Sequence, residues 1–220
     1  MALALFDLDE TLIAGDCSSL WLNWLIQRGI APLALREQER ALMEEYAKGS
    51  MSMSAYIELT LKPLLTHSII STNVWINEFI EQSIAPVLYP QAREKLSWHQ
   101  QRGDVVVIIS ASAENLVRPI AAYLGVKHAI AILLETEGDY YTGKPYGTFS
   151  YQQGKVTRVQ QWLAQHPDIS LSGSYAYSDS INDLPLLELA EHAIAVNPDD
   201  RLKPHAQAKG WPCINWSVKI

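Results

Sequence analysis

A chain of 220 residues, 48% apolar and 19% charged, suits one compact domain plus a sizeable insertion and carries too little charge to be disordered. Its 17 basic against 24 acidic side chains leave a net charge of −7, so no global positive field exists to gather nucleic acid or an anionic membrane surface. Cys17 and Cys213 form neither a CxxC pair nor a disulfide framework, and neither a basic leader nor a membrane-spanning apolar run is apparent, so a cytoplasmic protein with free thiols is expected.

The first apolar run, residues 2–6, is short and unbroken, as in a strand of a parallel sheet buried on both faces. It runs into Asp7-Leu8-Asp9-Glu10-Thr11. That places carboxylates at the carboxyl end of a strand, where doubly wound sheets bind ligands, although the same residues also suit a turn with helix-capping acids. From 15 to 87 the pattern is helical throughout. Leu20, Trp21, Trp24 and Leu25 mark one apolar face, and similar patterns follow over 33–47, 56–61 and 74–84, with stop signals at Gly29 with Pro32, at Gly49 and at Pro63. This predicts a bundle of about four helices inserted after the first strand, with residues 1–14 and 88–220 as the core. The return linker, 84–90, contains Pro86 and Pro90, which restrict the chain before the core resumes.

Apolar runs at 105–109, 129–134, 174–177 and 193–196 alternate with helical patterns at 92–101, 114–124, 155–164 and 183–190. The fold class expected is therefore α/β, a doubly wound, Rossmann-like parallel sheet. Glu137-Gly138-Asp139, between the apolar run and Tyr140-Tyr141-Thr142, reads as a β-hairpin turn, which leads into a loop rich in glycine and aromatics as far as Gly154.

Three later positions bear on Asp7 and Asp9. Ser110, with Ala111 and Ser112, ends the strand at 105–109 ahead of a helix, which suits a phosphate cradle or equally an N-cap. Lys155 opens a helical pattern, where a lysine opposes the helix dipole; it reads as a site residue or as a solvated surface lysine. Asp179, Asn182 and Asp183 follow the strand at 174–177 and precede a helix with Pro185 in its first turn, as ligands or as Asx turns.

Together, Asp7-Leu-Asp9-Glu-Thr11, Ser110, Lys155 and Ser178-Asp179-Ser-Ile-Asn182-Asp183 resemble, in order, the four motifs of the haloacid dehalogenase-like (HAD) hydrolase superfamily. The likeness is to its phosphoserine-phosphatase-like branch, subfamily IB, which inserts a helical cap of the C1 type after the first motif, and it covers essentially the whole chain. Segments at 4–12, 14–16, 141–143, 154–158 and 177–188 are further similar to a bacterial subgroup associated with histidinol-phosphate hydrolysis. Two departures, Ala111-Ser112 where phosphoserine phosphatases carry glycines and Ser178 where they carry glycine, count against phosphoserine itself as substrate.

The resemblance implies a phosphatase acting on a small phosphorylated metabolite, with Mg²⁺ as cofactor. Asp7 would be the nucleophile and Asp9 the acid and base, and the metal would be held by Asp7, Asp179 and the Asp9 main chain. The phosphoryl group would be held by Ser110, Ala111, Lys155 and Asn182, with Thr11 and Asp183 in support. Asp16 falls where relatives carry an acid that contacts the substrate's ammonium group, and it is equally placed to cap the first inserted helix. Trp21, Trp24, Glu45 and Tyr46 are candidates to face the pocket from the cap. A phosphotransferase or phosphomutase would use the same aspartyl-phosphate, and a receiver-like phospho-acceptor would use Asp7 alone. Gly138–Pro145 imitates a nucleotide-binding loop but has Pro145 in place of the required hydroxyl. The six histidines make no zinc spacing and no GxSxG surrounds Ser110. The oligomeric state is left open.

Overall fold

The computed structural model describes residues 2–218. Seven strands, β1 (Leu3–Phe6), β2 (Val105–Ala113), β3 (His128–Glu137), β4 (Tyr140–Tyr146), β5 (Tyr175–Ser178), β6 (His192–Val196) and β7 (Cys213–Ile214), form one sheet in the order β4-β3-β2-β1-β5-β6-β7. All neighbours are parallel except the β3–β4 hairpin. The sequence reading of a parallel α/β sheet is thus realised. β1 pairs with β2 on one side and β5 on the other, so the chain order reverses around β1. The carboxyl ends of these three strands therefore converge at the crevice that suits ligand binding.

Alternation along the strands divides the core in two. Leu3, Leu5, Val107 and Ile109 pack on one face against residues of α7 (Gln153–Ala164), α8 (Leu184–Leu189) and α9 (Leu202–Lys209). Ala4, Phe6, Val106 and Ile108 point to the other face, which carries α5 (Pro90–Gln101) and α6 (Glu114–Tyr123). The inserted segment forms α1 (Cys17–Gln27), α2 (Ala34–Lys48), α3 (Met53–Leu61) and α4 (Ile69–Phe79), the last continuing through a π-helical turn to Ile84. Asp16, Ser52 and Ser68 cap α1, α3 and α4 through their side-chain oxygens, and Gly49 ends α2 in the left-handed conformation that glycine adopts without penalty. The insertion leaves and returns through two clipped strands of chain: the Ala14 amide donates to the Val87 carbonyl (2.7 Å) and the Tyr89 amide to Leu12 (3.1 Å). Pro90 then occupies the first turn of α5, where its missing N–H costs nothing.

Three expectations need correcting. The strand at 105–109 continues through Ser110 to Ala113, with an irregularity in its pairing to β3. The hairpin expected at Glu137–Asp139 is present, but its second strand, β4, runs on through Tyr146 into the expected loop; Pro145 is tolerated because β4 is the edge strand. α9 and β7 were not anticipated, since neither carries a strong apolar period. Cys17 and Cys213 are free, the first buried and the second exposed. Among the described residues no helix is long and apolar enough to cross a membrane.

Beneath the crevice lies a buried polar network. His99 Nδ1 is 2.9 Å from Asp104 Oδ2 and its Nε2 is 2.9 Å from the Tyr177 hydroxyl, while Tyr177 stacks on Phe6 with ring centroids 4.2 Å apart. Burial lowers the His99 pKa even though Asp104 favours the charged form. Tyr177→Phe removes one partner of this fully buried imidazole and is expected to cost about 1–3 kcal/mol. A urea denaturation series with an unchanged m-value checks this.

Candidate active site

The three strand ends bring the sequence-predicted residues together. Asp7 follows β1, and its amide donates to Tyr177 of β5 (3.0 Å), which fixes the nucleophile candidate between β1 and β5. Lys155, in the first turn of α7, reaches across with its side chain 2% exposed. Its Nζ donates to Asp7 Oδ1 at 2.7 Å and to Asp183 Oδ2 at 2.6 Å. The solvated-lysine reading is therefore wrong. Burial would lower the Lys155 pKa, but Asp183 and Asp7 outweigh it and hold the ammonium above its ordinary range. The Ser178 hydroxyl also donates to Asp183 Oδ2 (2.8 Å) and so helps to set the ion pair.

Asp179 lies on the other side of Asp7. The Thr11 hydroxyl donates to Asp179 Oδ1 at 2.8 Å, accepts from the Asp179 amide at 3.0 Å, and lies 3.4 Å from Asp7 Oδ2. Burial raises the Asp7 pKa to about 7 against the pull of Lys155, with Asp183 and Asp9 adding to the rise. Burial and then Asp7 push Asp179 well up. One ammonium thus serves more carboxylate charge than it neutralises.

Asp9 is held by three donors: the Cys17 amide to Oδ1 (2.7 Å), and the Ser110 and Ser112 hydroxyls to Oδ2 (3.0 and 2.9 Å). Ser110, fully buried, is accordingly engaged with Asp9 rather than lining the cavity, since a hydroxyl out of reach of water takes the acceptor beside it. Its oxygen also accepts from the Ser112 amide (2.9 Å) within β2, and the N-cap reading is not met, since α6 follows Ala113 with no side-chain cap bond. Asn182 is likewise placed differently from the expected phosphate contact. Its Nδ2 donates to the Tyr46 carbonyl (3.2 Å), in the last turn of α2, beside the Gly49 amide that also donates there (2.9 Å).

Over these groups lies a cavity of about 230 Å³. Its floor is Asp7, Asp9, Asp179 and Ala111; its far wall comes from the inserted segment as Met43, Tyr46, Met51, Met53 and Tyr56, with Asp16 between. None of the lining residues is a lysine, arginine or histidine. Asp16 caps α1, as one of its two readings had it, and also lines the cavity. Its Oδ1 caps α1 by accepting from the Ser19 amide (2.7 Å) and also receives the Tyr56 hydroxyl (3.2 Å). Enclosure raises its pKa to about 7, with Asp9 adding to the rise and Ser19 opposing it.

Of the cap candidates, Tyr46 faces the cavity. Trp21 and Trp24 instead stack on each other (5.2 Å) and against Phe79 in the core of the inserted helices, and Glu45 pairs at the surface with Lys48 and Ser50. Met43, Met51, Met53 and Tyr56 were missed. Their helical spacing carried no sign of which apolar residues would face a cavity rather than a neighbour.

Comparison with known proteins extends this picture. The family profile described as haloacid dehalogenase-like hydrolase matches residues 4–188. The chain is 38% identical to a histidinol-phosphatase of Neisseria meningitidis over 97% of its own length and 98% of that protein. A crystal structure of a Bordetella pertussis protein of unknown function superposes with a TM-score of 0.89 at 38% identity, covering 99% of this chain and 98% of the other. A phospho-aspartyl intermediate analogue of phosphoserine phosphatase superposes at 0.70 with 23% identity, covering 97% and 92%, a likeness of fold.

The ion-pair geometry makes one stability prediction. Lys155→Met leaves two buried carboxylates without their cation and is expected to destabilise by about 3–5 kcal/mol, with Asp183→Asn in the same chain recovering part of the loss. Chemical denaturation of the two single variants and the double variant checks it.

Proposed function

The chain belongs to the haloacid dehalogenase-like hydrolases and is a phosphatase, and we propose that it hydrolyses small phosphomonoesters bearing a cationic amine, through an aspartyl-phosphate on Asp7. The observation that carries this reading is the cavity. A buried carboxylate paired with Lys155 forms its floor, a second carboxylate, Asp16, stands in its wall, and between them are methionines and tyrosines. An amine pairs with Asp16 by a charge-assisted hydrogen bond, and an apolar body packs on the adaptable methionines. A substrate carboxylate finds no cation on the lining and meets Asp16 and Glu10 instead, which favours an amino-alcohol phosphate such as histidinol phosphate over phosphoserine.

In this reading Asp7 attacks phosphorus and forms the acyl phosphate, splitting one displacement into two. Lys155, held against Asp7, offsets the negative charge that gathers there as phosphate arrives. Ser110, once its hydroxyl leaves Asp9, and the main chain at Ala111 take the remaining oxygens. Asp9 protonates the departing alkoxide and then takes the proton of the water that cleaves the acyl phosphate. The donors on Asp9 fix its orientation, and its proximity to Asp7 suits turnover rather than a lasting phospho-signal. Asp183 holds Lys155 in place, and Thr11 sets Asp179.

The donor set also fits Mg²⁺. Among the described residues no three His, Cys, Asp or Glu side chains cluster to hold a metal, but Asp7 and Asp179 are adjacent oxygen donors short of positive charge, and the Asp9 carbonyl is available as a third. A hard divalent cation there supplies Lewis-acid neutralisation of the phosphoryl group. Residues 15–87 act as the cap whose helices choose the leaving group.

The direct test is Mg²⁺-dependent phosphate release from histidinol phosphate. Asp7→Asn is expected to abolish it, whereas Asp9→Asn leaves activity reduced by ~10²–10⁴-fold. Comparable residual rates in the two variants would reject the assigned roles. Asp16→Asn is expected to raise KM for histidinol phosphate by about tenfold while changing KM for p-nitrophenyl phosphate less than about twofold. An equal rise for both compounds would reject amine recognition by Asp16.

A further inference from the structure

Gln152 belongs to none of the motifs described above, yet its backbone is one of three non-glycine positions with positive φ among the described residues (φ 48°, ψ −126°). The Gly154 amide donates to the Tyr151 carbonyl at 2.8 Å, so Gln152 is the first central residue of a tight turn. That conformation is the one glycine takes freely and other residues take at a cost. The turn leads directly into α7 and Lys155.

The side chain accounts for a glutamine at this place. Its Nε2 faces the Tyr151 hydroxyl (3.1 Å), Asn182 Oδ1 (3.3 Å) and the Gly49 carbonyl (3.4 Å). Gly49 ends α2 in the inserted segment, whereas Tyr151 and Asn182 belong to the core. Asn182 in turn donates to the Tyr46 carbonyl, and the rings of Tyr46 and Tyr151 lie 5.6 Å apart. The approach is close on both sides. A Cβ on Gly49 would lie 3.3 Å from Asn182 Oδ1 and 3.4 Å from Gln152 Nε2, so glycine there serves contact as well as its φ of 77°. Tyr46, in the last turn of α2, lines the cavity.

We infer that Gln152 is a positioning residue that latches the end of α2 onto the core and so sets how firmly the cap closes over the substrate. Strained residues persist where the surroundings hold them for a purpose, and here the strain aims an amide at the cap. Lys155 lies three residues after Gln152, and Asp183 directly follows Asn182. Both arms of the latch therefore grow from the turns that present the Lys155–Asp183 pair. The inference rests on the phosphatase reading of the same cavity, but the latch itself can be measured without turnover.

The experiment replaces Gln152 with glycine, which removes the latch and the strain together, and with alanine, which removes the latch alone. In Gln152→Gly, hydrogen exchange at the Gly49 and Ser50 amides, which donate to the Tyr46 and Glu45 carbonyls, is expected to quicken by about five- to tenfold. Its Tm should be no lower than that of the parent and higher than that of Gln152→Ala. For histidinol phosphate, KM should rise by about five- to tenfold with kcat within about threefold. Unchanged exchange and KM in Gln152→Gly overturn the latch, whatever happens to Tm. If the parent chain hydrolyses no phosphomonoester, the phosphatase reading fails, and the exchange measurement still decides the latch.

Discussion

The site depends on one buried ammonium. Lys155 stands at the amino end of α7, where the helix dipole disfavours it and burial disfavours it further, and it is kept there by Asp7 and Asp183 at 2.7 and 2.6 Å. These residues come from the end of β1, the first turn of α7 and the turn after β5. A charge taken out of water tolerates little misplacement of its partners, so the ion pair fixes three connections that the sheet alone would leave loose. Ser178 and Thr11 extend the arrangement, the first by holding Asp183 and the second by bridging Asp7 and Asp179.

The acidity of the chain takes a local form at this point. Asp7 and Asp183 hold Lys155, and burial keeps the carboxyls of Asp7 and Asp179 above their usual range, helped by Asp183 and Asp9 at Asp7 and by Asp7 and Asp183 at Asp179. Such a cluster is costly unless something positive joins it. A protein of net charge −7 with a carboxylate floor is therefore suited to an anionic substrate when a divalent cation and Lys155 supply the attraction within the crevice. Asp16 adds a further carboxylate to the wall of the cavity, where it accepts from the Ser19 amide and the Tyr56 hydroxyl.

Rigidity beneath the site and closure above it come from different kinds of packing. Below, Phe6 and Tyr177 stack at an angle of 2° one residue before Asp7 and two before Asp179, and His99 and Asp104 anchor the tyrosine. Above, the inserted helices share the hydrophobic core of the sheet through Leu12, Ile13, Leu88 and Phe79, while polar contacts from Asn182 and Gln152 join the tip of α2 to the turns that carry the ion pair. Apolar packing is indifferent to small slides, whereas a few hydrogen bonds at the rim are directional and readily exchanged.

By itself the sequence determined the parallel sheet, the place of the helical insertion and the carboxylates at the strand ends. Each is written in local chemistry: unbroken apolar runs for buried strands, helical periods between stop signals, and acids directly after β1 and β5. Weakly periodic pieces such as α9, β7 and the end of the edge strand β4 were not legible, because their neighbours supply what their composition lacks. Only the tertiary structure decided that Lys155 is buried, that Ser110 is given to Asp9 and Asn182 to α2, and that Trp21 and Trp24 are core while Met43, Met51, Met53 and Tyr56 line the cavity. The physical reason is that a residue's type fixes what it can bond to, but the partner it takes depends on which groups lie nearest once water has been excluded, and those groups come from distant parts of the chain.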